Sequence, residues 1–133
     1  MYPLFETIRI ENGSPGNLPF HMERMARSCR DVLGLESAPS LPEPLEGLTT
    51  CKPGIFKCRI SYGRSIGLVT IEPYHPRLVE SLRLVTCDDI EYRYKYTDRS
   101  MLDRLFEQRE GCDDILIVRG GRITDTSYSN IAF

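Results

Sequence analysis

The sequence predicts an α+β fold on three observations: pairs of alternating or β-branched runs joined by turn residues, two separate stretches with helical apolar spacing, and no internal repeat or low-complexity tract. Residues 4–10 alternate, with Leu4, Glu6, Ile8 and Ile10 on one face and Phe5, Thr7 and Arg9 on the other, before the turn residues Glu11, Asn12 and Gly13. In residues 20–35, Met22, Met25, Ala26, Cys29, Val32 and Leu33 recur at helical spacing and Gly34 supplies the stop. Residues 36–47 are rich in proline and glutamate without an apolar period, which predicts an exposed connection with one short helical turn. Residues 55–62 and 66–74 flank Gly63, Arg64 and Ser65 as a β-hairpin.

Pro73 and Pro76 interrupt the pattern before residues 82–87 resume an extended one, so the expected subdomains are 1–79 and 80–133. Asp98 is a suitable N-cap for a helix over residues 98–110, with Met101, Leu102, Leu105 and Phe106 inward and Gly111 as the stop. Residues 115–118 and 122–123, around Gly120 and Gly121, read as a second hairpin. Residues 129–133 read as a strand just beginning, the pattern of a fragment or an interrupted reading frame.

A chain of 133 residues accommodates one domain, or a small domain and the opening of a second. Hydrophobic residues at 41% and charged residues at 27% are ordinary for a protein that buries a core. Seventeen basic against nineteen acidic residues give a formal charge of −2, which offers no field for nucleic acid or an anionic membrane and favours a small-molecule partner. The N-terminus has no basic segment leading into an apolar one, and no apolar run approaches the roughly 18–20 residues that span a bilayer, so a cytoplasmic location is expected. The odd number of cysteines (Cys29, Cys51, Cys58, Cys87 and Cys112), spaced too widely for a CxxC motif, reads as reduced thiols, mostly buried.

Three segments could carry chemistry. In Tyr92-Arg93-Tyr94-Lys95-Tyr96, a strand would put the tyrosines on one face and the cations on the other. A Schiff-base lysine must be neutral to attack an aldehyde, a state that the neighbouring Arg93 and Arg99 favour, although a lysine in a strand is more commonly a solvated edge residue. Arg59 shares a strand face with Lys57 and Ser61, and its guanidinium fork suits a phosphate or an ordinary ion pair. Asp125 sits among Thr124, Thr126, Ser127 and Ser129, with Asn130 following, a run that by itself more commonly just builds a turn. His21 and His75 have no ligand spacing, and no metal site is expected.

Taken in order, these segments resemble the class IV aminotransferases, the pyridoxal-phosphate fold-type IV family of branched-chain and D-amino-acid aminotransferases and 4-amino-4-deoxychorismate lyase. Phe5-Glu6-Thr7-Ile8-Arg9, then Leu18, His21 and Arg24, are similar to the family's opening strand and helix. Arg59 falls at the family's phosphate-binding arginine and Lys95 at its Schiff-base lysine. Arg99, four residues on, resembles the lyase branch, whereas Ser100 stands where the branched-chain enzymes tend to keep a tyrosine. Thr124-Asp125 with Ser129-Asn130-Ile131 resembles the segment in which an acid meets the pyridine nitrogen, with aspartate here for the usual glutamate.

The resemblance implies a D-amino-acid aminotransferase-like fold, a small N-terminal α+β subdomain followed by the truncated start of a larger cofactor-binding one. It implies pyridoxal 5'-phosphate held by Lys95 with Arg59, Arg99, Asp125 and Asn130, catalysis by Lys95, a small amino substrate and a homodimer. The activity most in keeping with Arg99 is lysis of aminodeoxychorismate to pyruvate and 4-aminobenzoate, a folate precursor. An aminotransferase acting on branched-chain or D-amino acids, and a non-catalytic or truncated family member, are the alternatives. Family members continue beyond the position of Phe133 into a segment that completes the phosphate cradle.

Overall fold

β1 (Leu4–Glu11) owes its conformation to the alternation in its sequence: Leu4, Ile8 and Ile10 are fully or almost fully buried, and Arg9 and Glu11 are exposed. Asn12 and Gly13 take positive φ values of 49° and 81° and turn the chain into the short β2 (Ser14–Pro15), as a tight hairpin turn requires. The computed structural model of the chain describes residues 1–42, 45 and 53–133. They fall into two compact units, one of residues 1–75 with 94–97 and one of residues 76–93 with 98–133.

In the first unit, α1 (Leu18–Leu33) begins two residues earlier than the apolar period suggests, because Pro19 fits the first turn, where a backbone N–H has no partner to lose. It ends on Gly34 at φ 64°, whose N–H bonds the Arg30 carbonyl, while the Leu35 N–H bonds that of Cys29. β3 (Ile55–Tyr62) and β4 (Ile66–Pro73) form the expected hairpin, and the antiparallel sheet runs in the order β2-β1-β3-β4. One sheet face carries Ile8, Ile10, Cys58 and Ile60, with Leu4 and Tyr62 meeting Met25 and Cys29 of α1. Met22, expected inward, is 51% exposed, and Ser28 is buried in its place: the buried stripe of α1 runs through Met25, Ser28 and Cys29. Leu41 and Leu45 also join this core, so the proline-rich stretch is not a wholly exposed connection; residues 43, 44 and 46–52, with Cys51, lie outside the described residues.

Glu6 lies on the same apolar face and is completely buried. A carboxylate there needs partners. Arg24 supplies two guanidinium hydrogen bonds, 2.8 Å from Nε to Oε1 and another from Nη2 to Oε2, and His21 Nδ1 lies 2.8 Å from Oε2. Burial alone would push the Glu6 carboxyl up, but the hydrogen bonds and charges of Arg24 and His21 more than offset it and hold it below the usual 4.5. Burial pushes the Cys58 thiol up to about 11 and the Tyr62 hydroxyl up to about 12.

In the second unit, β5 (Leu82–Thr86) pairs in parallel with β6 (Asp114–Arg119), which pairs antiparallel with β7 (Arg122–Thr126). α2 (Ser100–Phe106) continues as a 3₁₀ turn over Glu107–Arg109, and Asp98 accepts a hydrogen bond from the Ser100 N–H at 2.9 Å. Leu102 and Leu105 pack with Val85, Ile90, Ile115 and Ile117, whereas Met101 is 41% exposed. Asp113 pins the starts of both parallel strands, accepting from the N–H groups of Glu80 and Ser81 and from the Ser81 hydroxyl. Residues 129–133 form no strand. Of the described cysteines, Cys29 and Cys58 are buried and Cys87 and Cys112 half-buried, all four as free thiols. Among the described residues, no helix is long and apolar enough to cross a membrane.

The lowered Glu6 carboxyl sets the sign of an acid response. Its contribution to stability is fully present above the ordinary carboxylate value of 4.5 and disappears as pH falls through the lower folded value. Glu6→Gln is expected to cost about 3 kcal/mol near neutral pH, because Arg24 loses its buried counter-charge. Urea unfolding across pH should also show a flatter acid limb for the variant; an unchanged acid limb would remove Glu6 as its source.

Candidate active site

The segment that carries Lys95 is placed by its backbone. Phe5 N–H bonds the Lys95 carbonyl at 3.0 Å, Thr97 N–H bonds the Pro3 carbonyl at 2.8 Å, and Tyr96 forms a β-bridge with Leu4. These bonds lay residues 94–97 along the head of β1 as a single bridge. Alternation still operates over that length. Tyr94 and Tyr96 pack onto the core formed by Leu4, Met25, Cys29 and Tyr62, their rings meeting edge to face at 6.1 Å, and Tyr94 OH donates to Asp31 at 2.9 Å. Tyr92 joins the other unit's core.

With both tyrosines turned to the core, Lys95 is half-buried on the other side, its Nζ 5.4 Å from the centre of the Phe5 ring. Arg59 reaches the same ring from β3, with Cζ at 4.4 Å. Phe5 itself is only 5% exposed, with both cations near its ring. In register beside Arg59 stand Thr7 on β1 and Thr70 on β4, two hydroxyls on the same sheet face. The ordinary ion pair on this face belongs to Lys57, whose Nζ is 2.7 Å from Glu72. Arg59 has no carboxylate partner among the described residues.

A cation held near an aromatic ring favours an anion beside it or, for an amine, loss of its proton. Both outcomes suit a phosphorylated aldehyde: the guanidinium fork takes a phosphate and the neutral amine attacks a carbonyl. The donor set of the first unit therefore fits pyridoxal phosphate.

Arg99, Asp125 and Asn130 belong to the second unit. Arg99 occupies the N-cap position of α2 and donates through Nη2 to the Ser127 carbonyl at 2.5 Å. Asp125 is half-buried on β7, opposite Ile117, and its Oδ1 accepts the Thr126 N–H at 2.9 Å. The Thr126 hydroxyl accepts from Ser129 N–H and donates to the Ser129 carbonyl, so the Ser and Thr run does build a turn, directly beside the acid. Asn130 is exposed, beyond that turn.

The sequence signalled less of what surrounds these groups. Phe5 was legible only as an open-face strand residue, since its role comes from two cations distant in the chain. Glu6 carried a signal in its position, a carboxylate among Leu4, Ile8 and Ile10. Asp114, which is 1% exposed, stands just before an apolar strand and gave none.

A family model described as amino-transferase class IV matches residues 3–133. A Haemophilus influenzae protein, itself uncharacterized, is 39% identical over 141 residues, covering 100% of this chain and 72% of its own. The crystal structure of a "putative 4-amino-4-deoxychorismate lyase" from Haemophilus somnus 129PT matches with a TM-score of 0.85 at 32% identity, over 98% of this chain and 70% of that one. The PLP-bound form of "a hypothetical aminotransferase from Mycobacterium tuberculosis" has a TM-score of 0.73 at 18% identity, over 96% and 56% of the two chains, a likeness of fold alone.

Tyr94→Phe removes the hydroxyl that ties the lysine segment to α1. A loss of about 0.5–1.5 kcal/mol is expected in the local opening free energy of this segment. Faster hydrogen exchange at the Thr97 and Phe5 amides, with the Ile60 amide unchanged, would register it; unchanged exchange at all three would show that Tyr94 does not hold the segment.

Proposed function

Because the chain belongs to the class IV aminotransferase family, we propose that it is a pyridoxal-phosphate enzyme of the 4-amino-4-deoxychorismate lyase type, releasing pyruvate and leaving 4-aminobenzoate. The observation that carries the cofactor reading is the pairing of Lys95 and Arg59 over the Phe5 ring. The lyase reading is supported by Arg99 four residues after Lys95 and by the likeness to the Haemophilus somnus structure that bears that name.

Bound pyridoxal phosphate would supply an electron sink for charge developing on the substrate carbon. In this reading Arg59 binds the phosphate as a charge-assisted fork, with Thr7 and Thr70 beside it. The Lys95 amine would hold the cofactor, and the same amine would take and return a proton at the carbon next to nitrogen. The Asp125 carboxylate holds a proton on the ring nitrogen, and Arg99 and Asn130 complete the cofactor contacts. The enzyme works in the cytoplasm, as a homodimer, on a small amino compound.

The test is to add pyridoxal phosphate to the purified chain, reduce it with borohydride and map the labelled peptide, then supply aminodeoxychorismate and measure pyruvate. Label on Lys95 and pyruvate release are expected. Lys95→Ala should abolish both, and Arg59→Ala should weaken cofactor binding about 10- to 100-fold, the worth of a charged hydrogen-bonding fork. Amino transfer to a keto acid without pyruvate release would replace the lyase by an aminotransferase. Label scattered over surface lysines would overturn the cofactor reading itself and leave a non-catalytic family member.

A further inference from the structure

The second unit keeps one buried carboxylate whose two oxygens have separate tasks. Asp114, at the head of β6, accepts from Arg77 Nη2 at 2.8 Å through Oδ2. Through Oδ1 it accepts the Ser127 hydroxyl at 2.5 Å and the Ile115 N–H at 2.7 Å. Arg77 neutralises the charge, since an unpaired carboxylate at that depth would be strongly destabilising. Ser127, itself 8% exposed, gives the carboxylate a direction in which to act.

Ser127 is bonded at both ends. Its hydroxyl is taken by Asp114, and its carbonyl receives Nη2 of Arg99. The hydroxyl anchor fixes the Ser127 side chain, and the Tyr128 N–H of the same peptide donates to the Thr126 hydroxyl at 3.2 Å, so the carbonyl holds one heading. Arg99 is fixed from its own side by its place at the start of α2, which packs through Leu102 and Leu105 against Ile115 and Ile117 of β6. Its Nη1 lies 3.5 Å from the Tyr92 hydroxyl, too long to anchor it firmly. The guanidinium is thus oriented mainly by one carbonyl, and that carbonyl by the Asp114 carboxylate together with the Thr126 hydroxyl.

We propose that Asp114 is a positioning residue for Arg99, acting through Ser127: the buried acid sets the peptide that aims the guanidinium, leaving its other N–H groups available to an anionic ligand. The proposal rests on the reading that Arg99 serves the cofactor, and it adds two residues, Asp114 and Ser127, to which the sequence motif gives no role. A merely structural Asp114 would contribute stability without coupling to Arg99.

The test has two arms on the full chain. In the first, without cofactor, the side-chain Nη2–H resonance of Arg99 is followed by ¹⁵N NMR, identified by its absence in Arg99→Lys. It should exchange slowly in the parent chain and quickly in Ser127→Ala and Asp114→Asn, with the Ile117 amide unchanged. An Arg99 resonance indifferent to both substitutions would overturn the proposal. In the second arm, pyridoxal phosphate affinity is measured by absorbance. Ser127→Ala should weaken it about three- to tenfold, the worth of one hydrogen bond, and should add nothing to Arg99→Ala in the double variant. Effects that multiply independently would count against the coupling. If the parent chain takes up no pyridoxal phosphate on Lys95, the cofactor reading fails, and the resonance arm still decides whether Asp114 positions Arg99.

Discussion

The hydrogen bond from the Phe5 N–H to the Lys95 carbonyl is the contact on which the candidate chemistry depends. With its partner from Thr97 to Pro3 it gives residues 94–97 a strand-like course. Alternation then leaves no choice: if Tyr94 and Tyr96 fill the core beside Leu4, Lys95 must emerge on the other side, over Phe5. The lysine is aimed by its neighbours' hydrophobicity. Arg59 arrives at the same ring by the same rule, because Cys58 and Ile60 on either side of it are buried.

Among the described residues, each unit keeps one fully buried carboxylate with an arginine beside it, Glu6 with Arg24 and Asp114 with Arg77. Such pairs contribute little net stability compared with apolar residues of the same shape, because desolvation offsets the Coulomb attraction. What they do provide is direction. Glu6 ties α1 to the face of β1 opposite Phe5, since a fork with two hydrogen bonds tolerates little sliding. Asp114 ties the head of β6 to the turn that follows β7.

Much of this was legible in the sequence, wherever the cause is local. The alternation of residues 4–10, the hairpin around Gly63 and the stop at Gly34 all express rules that act within a few positions, and the structure reproduces them. The misread positions obey distant causes. Met22 keeps helical spacing yet is exposed, because the buried stripe is decided by where β1 and β3 lie. Leu45 is buried although its proline-rich surroundings look solvated. The parallel pairing of β5 with β6 joins strands far apart in the sequence, and no turn signal announces it. The candidate site residues were singled out by their order along the chain, whereas the Phe5 ring that Arg59 and Lys95 both approach joins segments far apart in the sequence.

The bridging of Tyr2 and Thr97 spans 95 residues, and that separation has a kinetic meaning. Closing a flexible loop of this length costs about 4 kcal/mol of chain entropy, which no single hydrogen bond repays. The lysine segment is therefore expected to dock late, after β1, β3 and α1 have built the surface on which the tyrosines land. In a chain emerging from the ribosome, β1 waits with its leading edge unpaired until Thr97 has been made.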